Sequence, residues 1–146
     1  MKDLEAKIII PPTSIKDAEA VRIKVFQQEQ GIARDLDFDG NDQSSIHVVA
    51  YKNGAPIGTG RVRLLENGVA KIERVAVLSQ ERGQGIGKLL MESIDDYLGG
   101  VDIKEAVLDA QLHAKSFYER LGYIQKGKIF EEVGIPHVVM VKRFNK

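Results

Sequence analysis

A glycine-rich run with an arginine at its front constrains the fold of this chain more than any other segment. It lies between an apolar segment, residues 72–78, and an amphipathic segment that begins at residue 86. The run reads Arg82-Gly83-Gln84-Gly85-Ile86-Gly87. Because a strand followed by glycines and a helix leaves unpaired backbone N–H groups at the helix N-terminus, the pattern predicts an anion-binding loop. A phosphate-bearing cofactor is the expected ligand.

Two familiar phosphate motifs are absent from this run. A P-loop, G-x-x-x-x-G-K-[ST], would need a glycine at position 82 and a hydroxyl residue at position 89, where the chain has Arg82 and Leu89. A dinucleotide fingerprint, G-x-G-x-x-G, that began at Gly83 would need a third glycine where the chain has Lys88. The remaining pattern is R-x-x-G-x-G. A turn that only joins a strand to a helix is the structural alternative.

Composition limits the classes of protein and partner. A chain of 146 residues suits one domain, residues 1–146, with a single core. Its 21 basic and 21 acidic residues balance, which argues against a nucleic acid or a membrane surface as the partner. The absence of cysteine excludes disulfides and thiolate catalysis, and the three histidines lack metal-ligand spacing. No apolar run approaches the roughly 18 residues of a membrane span, so we expect a cytoplasmic protein.

The order of apolar patterns predicts an α+β fold. Residues 46–78 alternate in three strands joined by Asn53-Gly54 and Asn67-Gly68, which predicts an antiparallel meander. A strand and a helix precede the meander. A helical stripe over residues 86–98 follows it, and then a strand, a short helix and a closing pair of strands. This order predicts a mixed, mostly antiparallel sheet of about six to seven strands with helices on both faces.

Residues 31–44 are acidic and irregular, with Asp35, Asp37, Asp39 and Asp42. We interpret them as a solvated loop or a short second helix. The segment does not match a calcium-binding loop, because the position that corresponds to the twelfth residue of that loop is not a glutamate.

The R-x-x-G-x-G run, preceded by residues 72–77 (IERVAV), resembles the acetyl-CoA-binding motif of the GCN5-related N-acetyltransferase (GNAT) superfamily. Residues 111–123 resemble a second motif of that superfamily, through Ala114, the pair Phe117-Tyr118 and the ending Gly122-Tyr123. Gln111 stands where asparagine is commoner. The resemblance extends over nearly the whole chain. It implies a GNAT-like acyl-CoA N-acyltransferase fold, with acetyl-CoA (coenzyme A) as co-substrate and no metal.

The resemblance also assigns residues to the cofactor. Main-chain groups of the strand before the loop are expected to contact the pantetheine arm, and the loop is expected to contact the pyrophosphate. The cofactor-binding positions that it implies are Val75, Ala76, Val77, Arg82, Gly83, Gln84, Gly85, Ile86, Gly87, Lys88, Gln111, Ala114 and Phe117.

Tyr118 is the expected acid for the departing thiolate. A thiol has a pKa of about 8.5, and a phenol of pKa about 10 can protonate the sulfur without being ionised at neutral pH. The resemblance places a tyrosine with this role at the same position. A half-buried core aromatic on a short helix is the structural alternative.

Glu73 is the expected proton acceptor. A lysine-like amine of pKa about 10.4 is mostly charged at pH 7, a deficit of about 4–5 kcal/mol in nucleophile activity. Regular alternation would place Glu73 on one face with Val75 and Val77, and Arg74 on the other. The alternative is a strand carboxylate that is paired with Arg74 or with arginines 61 and 63.

A narrower resemblance, to the ElaA-like branch, rests on residues 25–30 (VFQQEQ) and 130–140. It implies three acceptor-site candidates, Glu29, His47 and His137, each of which has an ordinary loop charge or a hydrogen-bonded histidine as its alternative.

The expected reaction is direct attack of a primary amine, in a small molecule or a peptide, on acetyl-CoA in a ternary complex. A homodimer is compatible with the resemblance. A non-catalytic acyl-CoA-binding module and an acyl-homoserine-lactone synthase are the other hypotheses, and the intact pyrophosphate loop counts against the latter.

Overall fold

Seven strands form one sheet with helices packed on it in the computed structural model, which describes residues 3–144. The strands are β1 (Leu4–Ile9), β2 (Ile46–Lys52), β3 (Ala55–Leu64), β4 (Val69–Val77), β5 (Glu105–Gln111), β6 (Ile124–Glu132) and β7 (Ile135–Arg143). The helices are α1 (Lys16–Arg22), α2 (Arg34–Asp37), α3 (Ile86–Gly99) and α4 (Lys115–Arg120), and a π-helix, Ile23–Glu29, continues α1.

The sheet is mixed and mostly antiparallel, as the sequence predicts. Its strand order is β1-β2-β3-β4-β5-β7-β6, and β4–β5 is the parallel neighbour pair. The expected meander corresponds to β2, β3 and β4. The first of its turns has positive φ at both central residues, 52° at Asn53 and 83° at Gly54, which is the conformation that a two-residue hairpin requires.

The two parallel strands separate along their length. Residues 69–71 of β4 pair with residues 105–107 of β5. Beyond them the two strands no longer pair with each other, although β4 continues to Val77 and β5 to Gln111. The sheet therefore has a wedge-shaped cleft that widens toward the carboxyl ends of β4 and β5. The backbone N–H and C=O groups along this gap do not bond to the other strand, so they remain available to a ligand.

A β-bulge interrupts β4 at Arg74. Arg61 of β3 pairs with Glu73, but Thr59 pairs with Ala76, so one strand advances by two residues while the other advances by three. Arg74 has a φ of 57°, which is uncommon outside glycine. The extra residue bends the strand and reverses its alternation from that point onward.

The bulge overturns the expected arrangement of side chains in β4. Val75 faces α3 together with Gly60, where an added Cβ would lie 3.5 Å from Val75 Cγ2, and Val77 follows two residues later. Glu73 lies on the opposite face. The Arg74 side chain is on that face too, with Nη1 3.7 Å from Glu73 Oε2. The prediction that Glu73 shares a face with Val75 and Val77, opposite Arg74, is wrong because regular alternation does not hold across a bulge.

Helices cover both faces of the sheet. The apolar stripe of α3 is completely buried at Leu90, Met91, Ile94 and Leu98 against the main core. On the other face α1 packs over β2, β3 and β4. Within residues 3–144, no helix has the length and apolar character that crossing a bilayer requires.

Candidate active site

The glycine-rich run forms a cradle at the open end of the cleft. β4 ends at Val77, and α3 begins at Ile86 directly after Gly85. Gly83 and Gly85 have φ angles of 79° and 82°, which glycine adopts without strain. Within residues 3–144 no side chain caps the N-terminus of α3, and the first backbone N–H groups of a helix have no partner within the helix itself. The expected anion site is therefore built from backbone.

A cavity of about 310 Å³ lies between this cradle and α4. A Cβ added at Gly85 would meet no atom within 4 Å, whereas one at Gly87 would lie 3.4 Å from Phe117 Cζ. The space in front of the cradle is thus open, and its amides and one lysine suit a phosphate group. The cavity is lined by Val77, Glu81, Arg82, Gly83, Gly85, Ile86, Gly87, Lys88 and Phe117.

Arg82 and Glu29 are joined across the mouth of the cleft. Arg82 Nη1 and Nη2 each donate to a Glu29 carboxylate oxygen at 2.7 Å, and Nε donates to the carbonyl oxygen of Val77 at 3.0 Å. The hydrogen bonds from Arg82 lower the pKa of Glu29. The sequence prediction places Arg82 with the cofactor and Glu29 with the acceptor. The structure brings these two candidates into one ion pair.

Tyr118 lies on α4 beside the cradle. Its ring makes edge-to-face contacts with Phe117 and Tyr123, with centroids 5.0 and 6.1 Å apart. Burial raises the pKa of the Tyr118 phenol, so the hydroxyl stays protonated at neutral pH. Phe117 lines the cavity beside the cradle, and Tyr118 follows it on α4 with its ring against Tyr123.

Two other candidate cofactor-binding residues, Gln111 and Ala114, lie between β5 and α4. Gln111 is the last residue of β5, and its Oε1 accepts a hydrogen bond from His113 Nε2 at 2.6 Å. Ala114 ends the single turn that leads into α4. Both positions therefore lie on the β5 side of the cleft.

A charge-balanced network occupies the face of the sheet opposite α3. It links α1, the acidic segment, β3 and β4, and its pairs include Arg22 with Asp37, both only 1% exposed. Arg61, completely buried, contacts Asp39 at 2.8 and 2.9 Å. The members are Arg22, Arg61, Arg63 and Arg74 with Asp37, Asp39, Asp42 and Glu73.

Glu73 is held within this network. Its Oε1 accepts from Arg63 Nε and lies 3.3 Å from Arg61 Nη2, and its Oε2 lies 3.7 Å from Arg74 Nη1. Both carboxylate oxygens therefore face guanidinium groups. These contacts are those of the alternative interpretation, a strand carboxylate paired with neighbouring arginines.

One sequence interpretation of this region is confirmed in part, and one is wrong. The acidic segment contains the short second helix, α2, but it is not fully solvated, because Asp37 is 1% exposed and Asp42 bonds to Arg22 at 2.6 Å. His47 is completely buried and donates from Nε2 to the carbonyl oxygen of Asp42 at 2.9 Å, so it cannot contact an acceptor. Burial lowers the pKa of His47 and keeps it neutral. The burial of Arg22 and Arg61 was not predicted. The one sequence signal for it is the cluster of aspartates at residues 35–42, which could neutralise buried arginines.

His137 lies near the start of β7, the strand that follows β5 in the sheet on the side away from β4. It pairs in the sheet with Gln111 of β5 on one side and Phe130 of β6 on the other. Its ring stacks on Phe130 at 5.7 Å, and its Nδ1 lies 2.7 Å from the carbonyl oxygen of Ile135. Nε2 is 3.7 Å from Glu132 Oε2. The side chain thus has a fixed plane and one defined hydrogen bond.

A mixed sheet that opens between two parallel strands, with an amide-lined cradle at the opening, defines the acyl-CoA N-acyltransferase fold. Residues 14–144 match the family model described as the acetyltransferase (GNAT) domain, and the chain belongs to this family.

Relatives agree with this assignment. The uncharacterized N-acetyltransferase YjcF of Bacillus subtilis is 34% identical over 95% of this chain and 99% of its own. A crystal structure of a putative N-acetyltransferase from Lactobacillus plantarum has a TM-score of 0.86 at 29% identity, covering 97% of this chain and 99% of its own. Escherichia coli ElaA has a TM-score of 0.84 at 27% identity, covering 96% and 99%. The resemblance to the GNAT superfamily and its ElaA-like branch is confirmed.

Proposed function

We propose that this protein transfers the acetyl group of acetyl-CoA to a primary amine of a small-molecule or peptide acceptor, by direct attack in a ternary complex. The observation that carries the proposal is the 310 Å³ cavity, which joins the backbone cradle to the α4 segment that holds Tyr118. Membership of an acetyltransferase family supports acyl transfer in general. The acetyl donor, the amine acceptor and the residue roles are the finer steps proposed here.

The donor would be held mostly by backbone. The N–H groups at the start of α3 and the side chain of Lys88 would bind the pyrophosphate. The unpaired edge of β4 at Val75, Ala76 and Val77 would pair with the pantetheine arm. One N–H group there would stabilise the oxyanion that forms when the amine attacks the thioester carbon.

Tyr118 would protonate the leaving thiolate. Its raised pKa keeps the proton on the phenol until the carbon–sulfur bond breaks. The part of the chain that the structure describes offers the Tyr118 hydroxyl no hydrogen-bond partner. The hydroxyl is thus free to turn toward a sulfur atom that arrives along the cleft.

Glu73 stays a prediction as the proton acceptor. The three guanidinium groups around its carboxylate support the structural alternative instead. The variant Glu73→Gln separates the two roles, because loss of a base lowers turnover with little change in folding. Loss of an ion pair lowers the unfolding free energy instead.

The test is a panel of amines with acetyl-CoA, followed by release of free thiol, together with calorimetric titration of CoA. Tyr118→Phe should lose about 10²- to 10⁴-fold in turnover, the usual contribution of general acid catalysis, with unchanged CoA affinity. Tyr97→Phe, on α3, is the matched control and should keep full activity.

Failure of CoA to bind the wild-type protein would refute the whole proposal. CoA binding without turnover on any amine of the panel would instead support a non-catalytic acyl-CoA-binding module.

A further inference from the structure

The proposed reaction, on which this inference rests, needs a group that removes a proton from the acceptor ammonium. Such an amine has a pKa of about 10.4 and is mostly charged at neutral pH. The oxygens of Glu73 already face Arg61, Arg63 and Arg74. Another element on the same side of the cleft also offers a lone pair, on an imidazole nitrogen, that faces no guanidinium group.

His137 lies on that side. Lys71 and Glu73 are two residues apart in β4 and share a face, and Lys71 Nζ contacts Asp109 Oδ2 at 3.0 Å. Asp109 and Gln111 share a face of β5 in the same way, and Gln111 is the direct cross-strand partner of His137. The imidazole is thus one strand from the β5 wall of the cleft, about 4.8 Å across the ladder.

The hydrogen bonds of His137 leave its Nε2 lone pair free. A carbonyl oxygen only accepts, so the 2.7 Å contact with Ile135 places the ring proton on Nδ1. In His47 and His113 the corresponding bond to an oxygen is made by Nε2, which must carry the proton there. His137 is therefore the histidine of this chain that is held in the tautomer able to accept a proton at Nε2.

The surroundings of His137 stabilise the ring after proton uptake. Glu132 Oε2 of β6 lies 3.7 Å from Nε2, so a negative charge faces the imidazolium that would form. Other charged groups on this face include Asp109 of β5, which is paired with Lys71, and Lys126 further along β6. Glu105 of β5 and Arg143 of β7 also lie on it, 4.0 Å apart, at the far end of those strands. Phe130 stacks on the ring and fixes its plane.

We propose that His137 Nε2 accepts the proton of the acceptor ammonium, directly or through one water, and that Glu132 stabilises the charged imidazole. The N–H bond breaks and its electron pair stays on nitrogen, which bonds to the thioester carbon. The C–S bond then breaks, and its electron pair leaves with sulfur. The second amine proton replaces the one that Tyr118 gives to the thiolate, and the imidazolium returns its proton to solvent.

The closing experiment measures kcat/KM against pH from 6 to 10, with an amine that the panel identifies. His137→Gln keeps a donor for the Ile135 carbonyl but has no basic nitrogen. We expect it to lose about 10²- to 10⁴-fold near pH 7 and to recover as pH rises, because the amine then loses its proton unaided. Affinity for CoA stays unchanged. His113→Gln, at an exposed position, is the matched control and keeps the wild-type profile.

Glu132→Gln provides a readout that a merely structural role would not move. Without the carboxylate, no negative charge faces the imidazolium that forms during the reaction, so kcat falls while the affinity for CoA stays unchanged. Nitrogen NMR of the histidine rings checks the tautomer independently of turnover, and we expect the proton of His137 on Nδ1.

Three results would overturn the inference. They are a proton on Nε2 of neutral His137, an unchanged profile in His137→Gln, or an equal loss at every pH. An active wild-type enzyme with any of these leaves the proposed function standing. If the wild-type protein transfers no acetyl group, both the proposed function and the role of His137 are refuted.

Discussion

Gly85→Ala tests whether the cradle binds its ligand through backbone. Gly85 has a φ of 82°, and a left-handed backbone costs an L-residue about 1–2 kcal/mol. An added Cβ would meet no atom within 4 Å, so this strain is the whole cost to folding. The methyl group would instead occupy the space that a phosphate group needs. We therefore expect a small loss of stability and a large loss of affinity.

The chain contains a matched control for the strain. Gly54 has a φ of 83°, and a Cβ there would also meet nothing within 4 Å, but it lies in the β2–β3 turn. Both variants should lose about 1–2 kcal/mol, which lowers the Tm of a domain of this size by about 2–8 °C. Thermal unfolding of the two variants without ligand checks that these losses match.

Affinity for CoA should separate the two variants. A hydrogen bond to a charged group contributes about 1.5–3 kcal/mol, so loss of one such bond in Gly85→Ala raises Kd by about 10- to 150-fold. Gly54→Ala should bind CoA as the wild-type protein does. Calorimetric titration measures both constants. Equal affinities in the two variants would refute the backbone cradle, whatever their Tm values.

Three further predictions concern charged and titratable groups, one at the mouth of the cleft and two in the buried network. Glu29→Gln should tighten CoA binding by a few-fold in calorimetry, because it frees Arg82 from an exposed pair; weaker binding would contradict this. Asp37→Asn should cost about 3 kcal/mol in urea denaturation, since it removes one of the two carboxylates, those of Asp37 and Asp42, that face the buried Arg22 guanidinium. Asp35→Asn, at an exposed neighbour, should be neutral. The wild-type unfolding free energy should fall as pH drops below about 6.5, because burial depresses the pKa of His47 in the folded state only. His47→Gln should remove that part of the pH dependence between pH 5 and 7, and an unchanged slope would exclude His47 as its source.

The sequence predicted the features that depend on neighbouring residues. The turn at Asn53-Gly54 needs positive φ at both positions, and asparagine and glycine favour that conformation locally. The glycine run between an apolar strand and an amphipathic helix likewise specifies its own geometry. The meander, the helix α3 and the cradle were therefore predictable, and the family resemblance added the cofactor.

The features that were missed depend on residues far apart in the chain. Arg22 and Asp37, or Arg61 and Asp39, meet only after the sheet has formed, and no spacing along the chain indicates those pairs. The bulge at Arg74 was missed because arginine carries no preference for a left-handed backbone. Glu73 was consequently assigned to the wrong face, and His47 to a surface that it does not reach.

The bulge also determines which kinds of change this strand can tolerate during evolution. An altered side chain at Glu73 or Val77 changes only the contacts of that side chain and leaves the rest of β4 in phase. Deletion of Arg74 would instead restore regular alternation and turn every later side chain of the strand to the other face. Val77, which lines the cavity, would leave it, and the cradle would follow a strand that ends in the wrong orientation. The length of β4 is thus under tighter constraint than its composition.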